Sequence, residues 1–500
     1  MLIEASVSSL LDLLISPHMV LLLVVGVMIG LFFGIMPGLG GKLGIVFLIP
    51  FTFGMDPLFG AVFLLAMHSV VHTSGAIPSI LFGIPGTGPD AATIVDGYPM
   101  AQNGEAGRAL GATLAASGVG GVIGAVFLSL LLPFASPLVL AFSPAEFFLL
   151  AVLGITFIAS LSGDNLLKGL VVGLFGLMIS CVRLDPMSGE QRYTFDQLFL
   201  WDGIDAVTAV IAIFAIPELI GLATRQEVNA EKLASTVKYT FAEVWEGCLD
   251  VGRHWALTFR TSIIGAVIGL IPGLGGDVAS WMCYGHAVQS SKTPERFGKG
   301  AVEGVIAPET ANNSKEGGSL LPTLYFGIPG SSGMAILLGA LVTLGVQPGP
   351  QMATLGLNFV WTLVWTLAIA NILAVFILLA CAPWFSKLAS IRSELLVPFV
   401  VVLSMLGCYL AANAWQNFIV LLVFGLIGFL LKKHDWPRPP FVVGIVLGPV
   451  AEGSLHKAMA IWGYAFLLRP LSLVMLALIL GTIALNIVRL LRRSSRHAHS

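Results

Sequence analysis

Charged residues are scarce in this sequence of 500 residues. Asp, Glu, Lys and Arg make up only 10% of the chain, whereas water-soluble domains carry about 25%. Hydrophobic residues account for 57%, more apolar surface than so few charges can screen from water. The 57 glycines show no collagen-like period, and 31 Phe with 10 Trp argue against disorder. The composition therefore indicates a polytopic membrane protein.

Basic patches and cysteine motifs are also missing. The formal net charge is −2, and basic residues cluster only at the extreme C-terminus, so nucleic acid is not a predicted partner. The five cysteines have neither C-x-x-C nor metal-ligand spacing, which favours small buried side chains. The N-terminus lacks the basic region and cleavage site of a signal peptide, so the first apolar stretch is expected to stay in the mature protein.

Long apolar stretches define the predicted fold class. They are continuous and lack the ten-residue alternation of a membrane β-barrel. At about 20 residues per spanning helix, and allowing for loops, the composition predicts about 10–12 transmembrane helices. The chain is therefore predicted to be all-α, embedded in the lipid bilayer.

An internal duplication organises the chain. Segment 30–41 (GLFFGIMPGLGG) recurs as 265–276 (GAVIGLIPGLGG), with seven of twelve positions identical. Segment 78–86 (PSILFGIPG) recurs as 322–330 (PTLYFGIPG). A fainter third match pairs one asparagine and two glycines of each half: Asn165, Gly173 and Gly176 with Asn417, Gly425 and Gly428.

The duplication predicts three regions. A first transmembrane repeat spans 1–225, a polar linker 226–260, and a second repeat with an extra C-terminal helix and basic tail 261–500. The linker is predicted to be an amphipathic helix on the cytoplasmic membrane surface. The linker and the tail contain several Lys and Arg residues, whereas residues 1–19 contain neither. The positive-inside rule then places the C-terminus in the cytoplasm and gives the two repeats inverted topology.

The duplicated PGLGG motif is predicted to interrupt its helix. Residues 20–53 are almost wholly apolar and would form a helix about 51 Å long, against a hydrocarbon core of about 30 Å. Proline removes a backbone donor and glycine weakens the helix, so the segment should break into two half-helices or a re-entrant hairpin. Unpaired backbone groups at this depth must face protein or a watery cavity. Each half therefore gains a polar opening.

Paired breaks at matching positions of two repeats indicate the binding site of a secondary transporter. Free N–H groups at a helix start suit carboxylates, and amides offer both donors and acceptors. The predicted substrate-binding residues lie at or beside the breaks of both halves: Gly38, Gly40, Gly41, Lys42, Ser74, Gly75, Gly86, Thr87, Gly273, Gly275, Gly276, Asn312, Asn313, Gly330 and Ser331. The spacings Gly30/Gly34 and Gly265/Gly269 are assigned to close helix packing instead.

Two charges occupy equivalent positions in otherwise uncharged stretches. Lys42 and Asp277 each follow the PGLGG motif directly. A charge at membrane depth is costly and should be paired or functional. One hypothesis is that Lys42 attracts an anionic substrate while Asp277 helps to hold a coupling cation, and the alternative is a buried Lys42–Asp277 ion pair. Asp90 and Glu309 complete the predicted coupling-ion residues. The ion is Na⁺ or H⁺, and no other cofactor is predicted.

Two further pairs receive weaker interpretations. His68 and His72 are one helical turn apart but lack the Glu of a zinc hydrolase motif. They are expected to be a structural pair or a polar cavity lining. Lys315 and Glu316, which precede the last break, are expected in a solvated loop.

These motifs resemble the large membrane subunit of tripartite tricarboxylate transporters, TctA. The resemblance covers nearly the whole chain and rests on 74–78 (SGAIP), 83–87 (GIPGT), 96–100 (DGYPM), 108–111 (RALG), 297–300 (FGKG), 308–309 (PE), 311–313 (ANN) and 326–330 (FGIPG). It implies a multi-pass secondary transporter of citrate-like carboxylates in the bacterial inner membrane, driven by a cation gradient. It also implies two partners, a small four-helix membrane subunit and a periplasmic substrate-binding protein. Lys315 and Glu316 depart from the family pattern, which has small apolar residues there.

Two other classes of function are less favoured. A membrane-embedded enzyme acting on a lipid-linked substrate would need an acid/base or metal constellation near one interface, and none is evident in the sequence. A channel usually builds its pore from oligomeric symmetry rather than from an internal duplication. The sequence therefore predicts a carboxylate:cation symporter subunit and not an enzyme.

Overall fold

The structure is a computed structural model. It describes residues 2–36, 40–161, 166–185, 188–224, 240–272, 274–349, 351–354, 356–381 and 414–497, with a few helical residues between 398 and 409. Asn165 and the linker residues 225–239 lie outside the described residues.

Helices make up nearly all of the described chain. Those before the linker are α1 Leu2–Ile15, α2 Pro17–Ile35, α3 Gly40–Thr52, α4 Pro57–Phe82, α5 Ala91–Gln102, α6 Ala106–Leu140, α7 Pro144–Leu161, α8 Leu166–Ser180 and α9 Ala206–Thr224. Those after it are α10 Phe241–Arg253, α11 Trp255–Leu270, α12 Gly275–Ser290, α13 Glu303–Phe326, α14 Ser332–Thr343, α15 Gln351–Thr354, α16 Leu357–Cys381, α17 Asn417–Lys433, α18 Pro439–Trp462 and α19 Pro470–His497. The strands described are β1 Arg183–Leu184 and β2 Gln191–Arg192, an antiparallel pair. The predicted all-α membrane fold is confirmed.

Four of the described helices are individually long and apolar enough to cross a membrane. They are Pro17–Ile35, Pro57–Phe82, Ala106–Ala135 and Leu357–Cys381. A fifth candidate is the pair Pro439–Leu468 and Pro470–Ala484, which is bent by 68°. Further apolar helices have only 10–17 residues, as expected where spans are interrupted. The number of 10–12 spans stays a prediction, because it depends on how these short helices combine.

The predicted helix breaks are present in both halves. Helix α2 ends at Ile35 and α3 begins at Gly40, while α11 ends at Leu270 and α12 begins at Gly275. Gly275 has φ +65°, in the left-handed region that favours glycine. The apolar stretches around both PGLGG motifs are therefore two helices each, and the expectation of a break is confirmed.

The second duplicated motif ends two helices in the same way. Helix α4 stops at Gly83 (φ +65°) and α13 stops at Gly327 (φ +68°). In each case the next isoleucine N–H donates to the proline carbonyl six residues back, at 3.4 Å for Ile84 and 3.1 Å for Ile328. This is the left-handed glycine cap that closes many helices. The conserved spacing of the repeat is thus explained by one capping geometry used twice.

Duplicated glycines bring duplicated helices into close contact. A Cβ added to Gly34 would lie 2.2 Å from the Val71 carbonyl oxygen, so α2 and α4 touch through their backbones. A Cβ added to Gly269 would lie 2.2 Å from the Lys315 carbonyl oxygen, which joins α11 to α13 in the same way. The interpretation of the Gly-x-x-x-Gly spacings as packing positions is confirmed.

The two halves also pack across one another in matching pairs. Helix α6 packs on α13 and α16 on α4, while α8 packs on α18 and α17 on α9. The third set of duplicated glycines forms the last two contacts: an added Cβ would lie 2.2 Å from the Phe441 oxygen at Gly176, and 2.7 Å from the Ile213 oxygen at Gly428. Equivalent residues therefore make equivalent contacts with the opposite half.

Replacing Gly428 with alanine should destabilise the protein, because the new Cβ meets a backbone carbonyl that cannot rotate away. We expect a loss of about 1–3 kcal/mol, typical of overpacking. The matched control is Gly481→Ala in α19, where no described atom lies within 4 Å of an added Cβ and alanine favours helix. Thermal denaturation in detergent, followed with a thiol-reactive dye on the free cysteines, should show a lower midpoint only for Gly428→Ala. Equal midpoints would contradict the packing.

Helix α10 is amphipathic and lies against α6. A capping box between Thr240 and Glu243 opens it. Its buried Asp250 accepts hydrogen bonds from Arg108 Nε at 2.6 Å and Arg253 Nη1 at 2.8 Å. Burial raises the pKa of Asp250, but these hydrogen bonds outweigh that effect and hold it below its usual value. The interactions of Asp250 with the two arginines therefore stabilise the protein at neutral pH, and this stabilisation is lost only when acid protonates the carboxylate.

Candidate substrate and coupling-ion site

The breaks at the PGLGG and FGIPG motifs of the second half both lie close to the contact between α4 and α13. A Cβ added to Gly276, at the start of α12, would lie 2.7 Å from Pro89 and 3.1 Å from the Lys315 Cε. A Cβ added to Gly333, at the start of α14, would lie 2.3 Å from His68 Cε1. The helix starts of the second half thus lie directly against polar side chains of α4, α13 and the loop that follows α4.

Four ionisable side chains form what we call the central cluster: His68 and His72 on α4, Lys315 and Glu316 on α13. The Lys315 ammonium donates to Glu316 Oε1. His72 Nε2 lies 3.3 Å from Glu316 Oε1, and His68 Nε2 lies 3.4 Å from Glu316 Oε2. Lys315 is 1% exposed and Glu316 is 0% exposed. An ion pair with two imidazoles therefore lies at the centre of the fold.

The prediction of a solvated Lys315–Glu316 loop is wrong. Both residues lie in the middle of α13, a helix of 24 residues that is buried along most of its length. Helices α4, α6, α11 and α12 surround it. Its polar residues are accommodated because partners on α4 and on α13 itself replace water.

The duplication relates the members of the central cluster. The offset of 244 residues that matches Pro78 to Pro322 also matches His72 to Glu316. The carboxylate and the imidazole that face each other thus occupy equivalent positions in the two halves. Both histidines are buried, and the expectation of a structural pair or a polar cavity lining stays a prediction.

The loop after α4 supplies a second polar group beside the cluster. Asp90 is fully buried, and its Oδ2 accepts from Thr87 N–H at 2.8 Å and from the Thr87 hydroxyl at 2.7 Å. The same hydroxyl lies 3.0 Å from His72 Nδ1. A Cβ on Gly75 would lie 2.2 Å from Asp90 Oδ2, so only glycine leaves space for this carboxylate. Thr87 and Asp90 are thereby connected to the central cluster through His72.

The predicted asparagines lie on the adjoining turn of α13. Asn312 Nδ2 is 3.5 Å from Asp90 Oδ1, and Asn313 Nδ2 donates to Thr73 Oγ1 at 2.7 Å and to Asn371 Oδ1 at 2.8 Å. Within the described part of the chain, the carbonyl oxygens of both asparagine side chains are buried without a hydrogen-bond partner. Each can accept a hydrogen bond from a substrate hydroxyl or coordinate a cation.

The three predicted coupling-ion carboxylates have different surroundings. Glu309 is buried and accepts from the hydroxyls of Thr93 and Ser117, the latter at 3.1 Å. Asp277 is exposed at the start of α12, beside Gly88. Among the described residues, no group of three or more His, Cys, Asp or Glu side chains has a metal-binding arrangement. The structure thus does not gather Asp90, Glu309 and Asp277 into one such group.

The exposure of the Lys42 side chain contradicts one of its two interpretations. Its side chain is exposed at the start of α3, and that of Asp277 is exposed as well. A buried Lys42–Asp277 pair is therefore wrong. The attraction of an anion by Lys42 stays a prediction.

The remaining predicted residues mostly shape the breaks. Gly86 N–H donates to the Gly75 carbonyl at 3.2 Å, and Gly275 N–H donates to the Gly330 carbonyl at 3.2 Å, which joins the two breaks of the second half. Gly38 and Gly273 lie outside the described residues.

Three others have local partners. Gly41 packs on Val71, the Ser74 hydroxyl donates to the Val71 carbonyl at 3.2 Å, and Ser331 caps α14 by accepting from Met334 N–H at 3.1 Å. Gly40 begins α3.

These features define a membrane protein of two related halves, whose interrupted helices meet at a buried charged site. The family model "Tripartite tricarboxylate transporter TctA family" matches residues 20–443, and the chain belongs to this family of membrane transport components.

Two relatives come from Agrobacterium vitis. One, described as a 52.8 kDa protein in the TAR-I ttuC' 3' region, is 31% identical over 474 residues, which cover 94% of this chain and 93% of the relative. The other, from the TAR-II ttuC' 3' region, is 34% identical over 197 residues, which cover 39% of this chain and 81% of the relative. No solved structure matches the chain significantly.

Proposed function

We propose that this chain is the large membrane subunit of a secondary transporter that imports citrate-like di- and tricarboxylates across the bacterial inner membrane with a coupled cation, Na⁺ or H⁺. A periplasmic binding protein delivers the substrate, and a small four-helix membrane subunit completes the complex. The C-terminus lies in the cytoplasm. The observation that carries the proposal is the convergence of duplicated helix breaks on a buried site that holds the Lys315–Glu316 ion pair, two imidazoles and two side-chain amides, in a chain of this family.

The site offers the groups that a carboxylate requires. The Lys315 ammonium supplies positive charge and the two imidazoles supply hydrogen-bonding nitrogens, and a protein interior strengthens such interactions with an anion. The first turns of α12 and α14 bring Gly276 beside Lys315 and Gly333 beside His68, so the positive ends of both helices lie at this site. The free oxygens of Asn312 and Asn313 suit hydroxyl groups of the substrate. We assign the attraction of the substrate anion to Lys42 and that of the cation to Asp277, both of which are exposed at the start of a helix.

Coupling to a cation follows from electrostatics. An inward-negative potential opposes each negative charge of the substrate by about 2.3 kcal/mol per 100 mV. The potential itself therefore drives a dianion inward only when the co-transported positive charge exceeds that of the dianion, and otherwise the concentration gradient of the cation must supply the driving force. Alternating exposure of a central site, by movement of one half against the other, provides such coupled movement without an open pore.

Uptake into proteoliposomes tests the proposal. The chain is reconstituted with the small subunit and binding protein of its own locus, and labelled citrate, succinate and malate are supplied under an imposed cation gradient. We expect saturable accumulation that collapses when the gradient is dissipated, and counterflow in preloaded vesicles. Omission of the binding protein is the control. Unsaturable passive flux would indicate a channel and chemical conversion of the acid an enzyme, and either result would refute the proposal.

A further inference from the structure

The hydrogen bonds that link Asp90 to Glu316 fix the position of protons in the central cluster. When Asp90 is ionised, its Oδ2 accepts both the Thr87 N–H and the Thr87 hydroxyl, so the hydroxyl proton points to Asp90. The hydroxyl oxygen can then only accept from His72 Nδ1, 3.0 Å away. His72 therefore carries its proton on Nδ1 and turns Nε2 toward Glu316.

In this arrangement no proton lies between His72 Nε2 and Glu316 Oε1, so neither atom can donate a hydrogen bond to the other. Nε2 of a neutral His72 and Oε1 of an ionised Glu316 are both acceptors, 3.3 Å apart. Among the described residues, His72 Nε2, Glu316 Oε2 and both ring nitrogens of His68 are buried without a hydrogen-bond partner. Buried polar atoms are rarely left unpaired in this way. One added proton would complete the hydrogen bond between the two helices.

We propose that the central cluster is the proton-binding site of the transporter, so that H⁺ is the coupled cation and is held between His72 and Glu316. This inference rests on the proposed function and names its coupling ion. Proton relays in membrane transporters are commonly built from buried histidines and carboxylates. Both residues are chemically suited to the task, since an imidazole nitrogen and a carboxylate oxygen can each bind one proton.

The composition of the cluster argues against a sodium ion at the same place. Na⁺ needs several oxygen ligands, as other hard cations do. Glu316 is the carboxylate of the cluster, and the Lys315 ammonium already contacts its Oε1. The other side chains that face its two oxygens are imidazoles, which bind a proton but are poor ligands for Na⁺.

The cluster also connects proton binding to substrate binding. A proton taken up from one side neutralises Glu316 and leaves the Lys315 ammonium without its counter-charge. Lys315 can then bind a carboxylate of the substrate, and release of the proton on the other side restores the ion pair and expels the anion. The charged groups around His72 are Lys315, Glu316 and His68, with Asp90 reached through Thr87 and Asp277 further out beside Gly88.

Proton movement can be measured directly in the reconstituted complex. Vesicles containing a pH-sensitive dye in weak buffer are suspended in Na⁺-free medium, at an alkaline pH where succinate is fully ionised and brings no proton itself. We expect succinate to acidify the vesicle interior and a proton gradient to drive its accumulation. Citrate and malate serve as further probes. Accumulation that requires Na⁺ without acidification would overturn the inference but leave the proposed function intact, whereas failure of counterflow with all three acids would refute the function itself.

The Glu316→Gln variant separates coupling from translocation. Its amide mimics the protonated acid, so counterflow of labelled for unlabelled succinate should persist while proton-driven accumulation falls at least about tenfold. The control is Glu105→Gln, at an exposed glutamate paired with Arg108, which should retain both activities. Proton-driven accumulation that persists in Glu316→Gln would overturn the inference.

A positioning variant keeps the test valid if Glu316→Gln does not fold. Thr87→Val removes the hydroxyl that fixes the His72 proton, whereas Thr87→Ser retains it. We expect the pH profile of uptake to shift in the valine variant and to be restored in the serine variant. Identical pH profiles for the unmodified protein, Thr87→Val and Thr87→Ser would contradict the role of His72. The variant His18→Gln, at an exposed histidine, is the control for general effects of histidine loss.

Discussion

Replacing Lys315 with methionine should lower the free energy of unfolding by about 3–5 kcal/mol, because it leaves the Glu316 carboxylate buried without its cation. Glu316 is 0% exposed, so water cannot take the place of the ammonium. The double variant Lys315→Met/Glu316→Gln should recover most of the loss, since it removes both charges together. Thermal denaturation of the purified single and double variants in detergent measures the difference.

The control for the lysine substitution is Lys457→Met, at an exposed position of α18. Surface substitutions of this kind change stability by no more than about 0.5 kcal/mol. A single variant Lys315→Met as stable as Lys457→Met would show that the pair is not a buried ion pair. A double variant less stable than the single would show that Glu316 has another essential partner.

The helix breaks were predictable because they depend on local chemistry. Proline and glycine within an apolar stretch oppose a continuous helix wherever they stand, and the duplication supplied two independent copies of each signal. The close packing at Gly34 and Gly269 followed from the same comparison. Capping at Gly83 and Gly327 is equally local, and its signal is the Phe-Gly-Ile-Pro-Gly motif itself.

The central cluster was not predicted, because its burial depends on what surrounds α13. Hydropathy selects α4 as a spanning helix but not α13, whose middle is polar. A helix enclosed by protein needs no apolar surface when its neighbours offer hydrogen bonds, and sequence patterns do not show those neighbours. One signal was available: extension of the 244-residue offset pairs His72 with Glu316. Sequence patterns likewise do not show that the side chains of Lys42 and Asp277 are exposed, which is why a buried ion pair was one of their two interpretations.

Replacing Asp90 with alanine should reduce carboxylate counterflow about 100-fold. The variant leaves the Thr87 N–H and hydroxyl without their acceptor, so the loop after α4 moves away from His72. A displacement of about 1 Å in a positioned site is enough for such a loss. The control is Asp56→Ala, where an exposed aspartate accepts from Leu58 N–H at the start of α4, and where we expect about 1 kcal/mol less stability but normal counterflow.

A steric exchange shows whether Asp90 acts from the position described. Gly75→Ala alone should be nearly as damaging, because its Cβ would lie 2.2 Å from Asp90 Oδ2. In the double variant Gly75→Ala/Asp90→Ala the methyl group occupies space that the carboxylate has vacated, so the second substitution should add little to the first. Coupling of this kind between two residues in contact is what a double-mutant cycle measures. Fully additive losses would mean that the loop and α4 are not in contact at this point, and the link from Thr87 to the central cluster would fail with it.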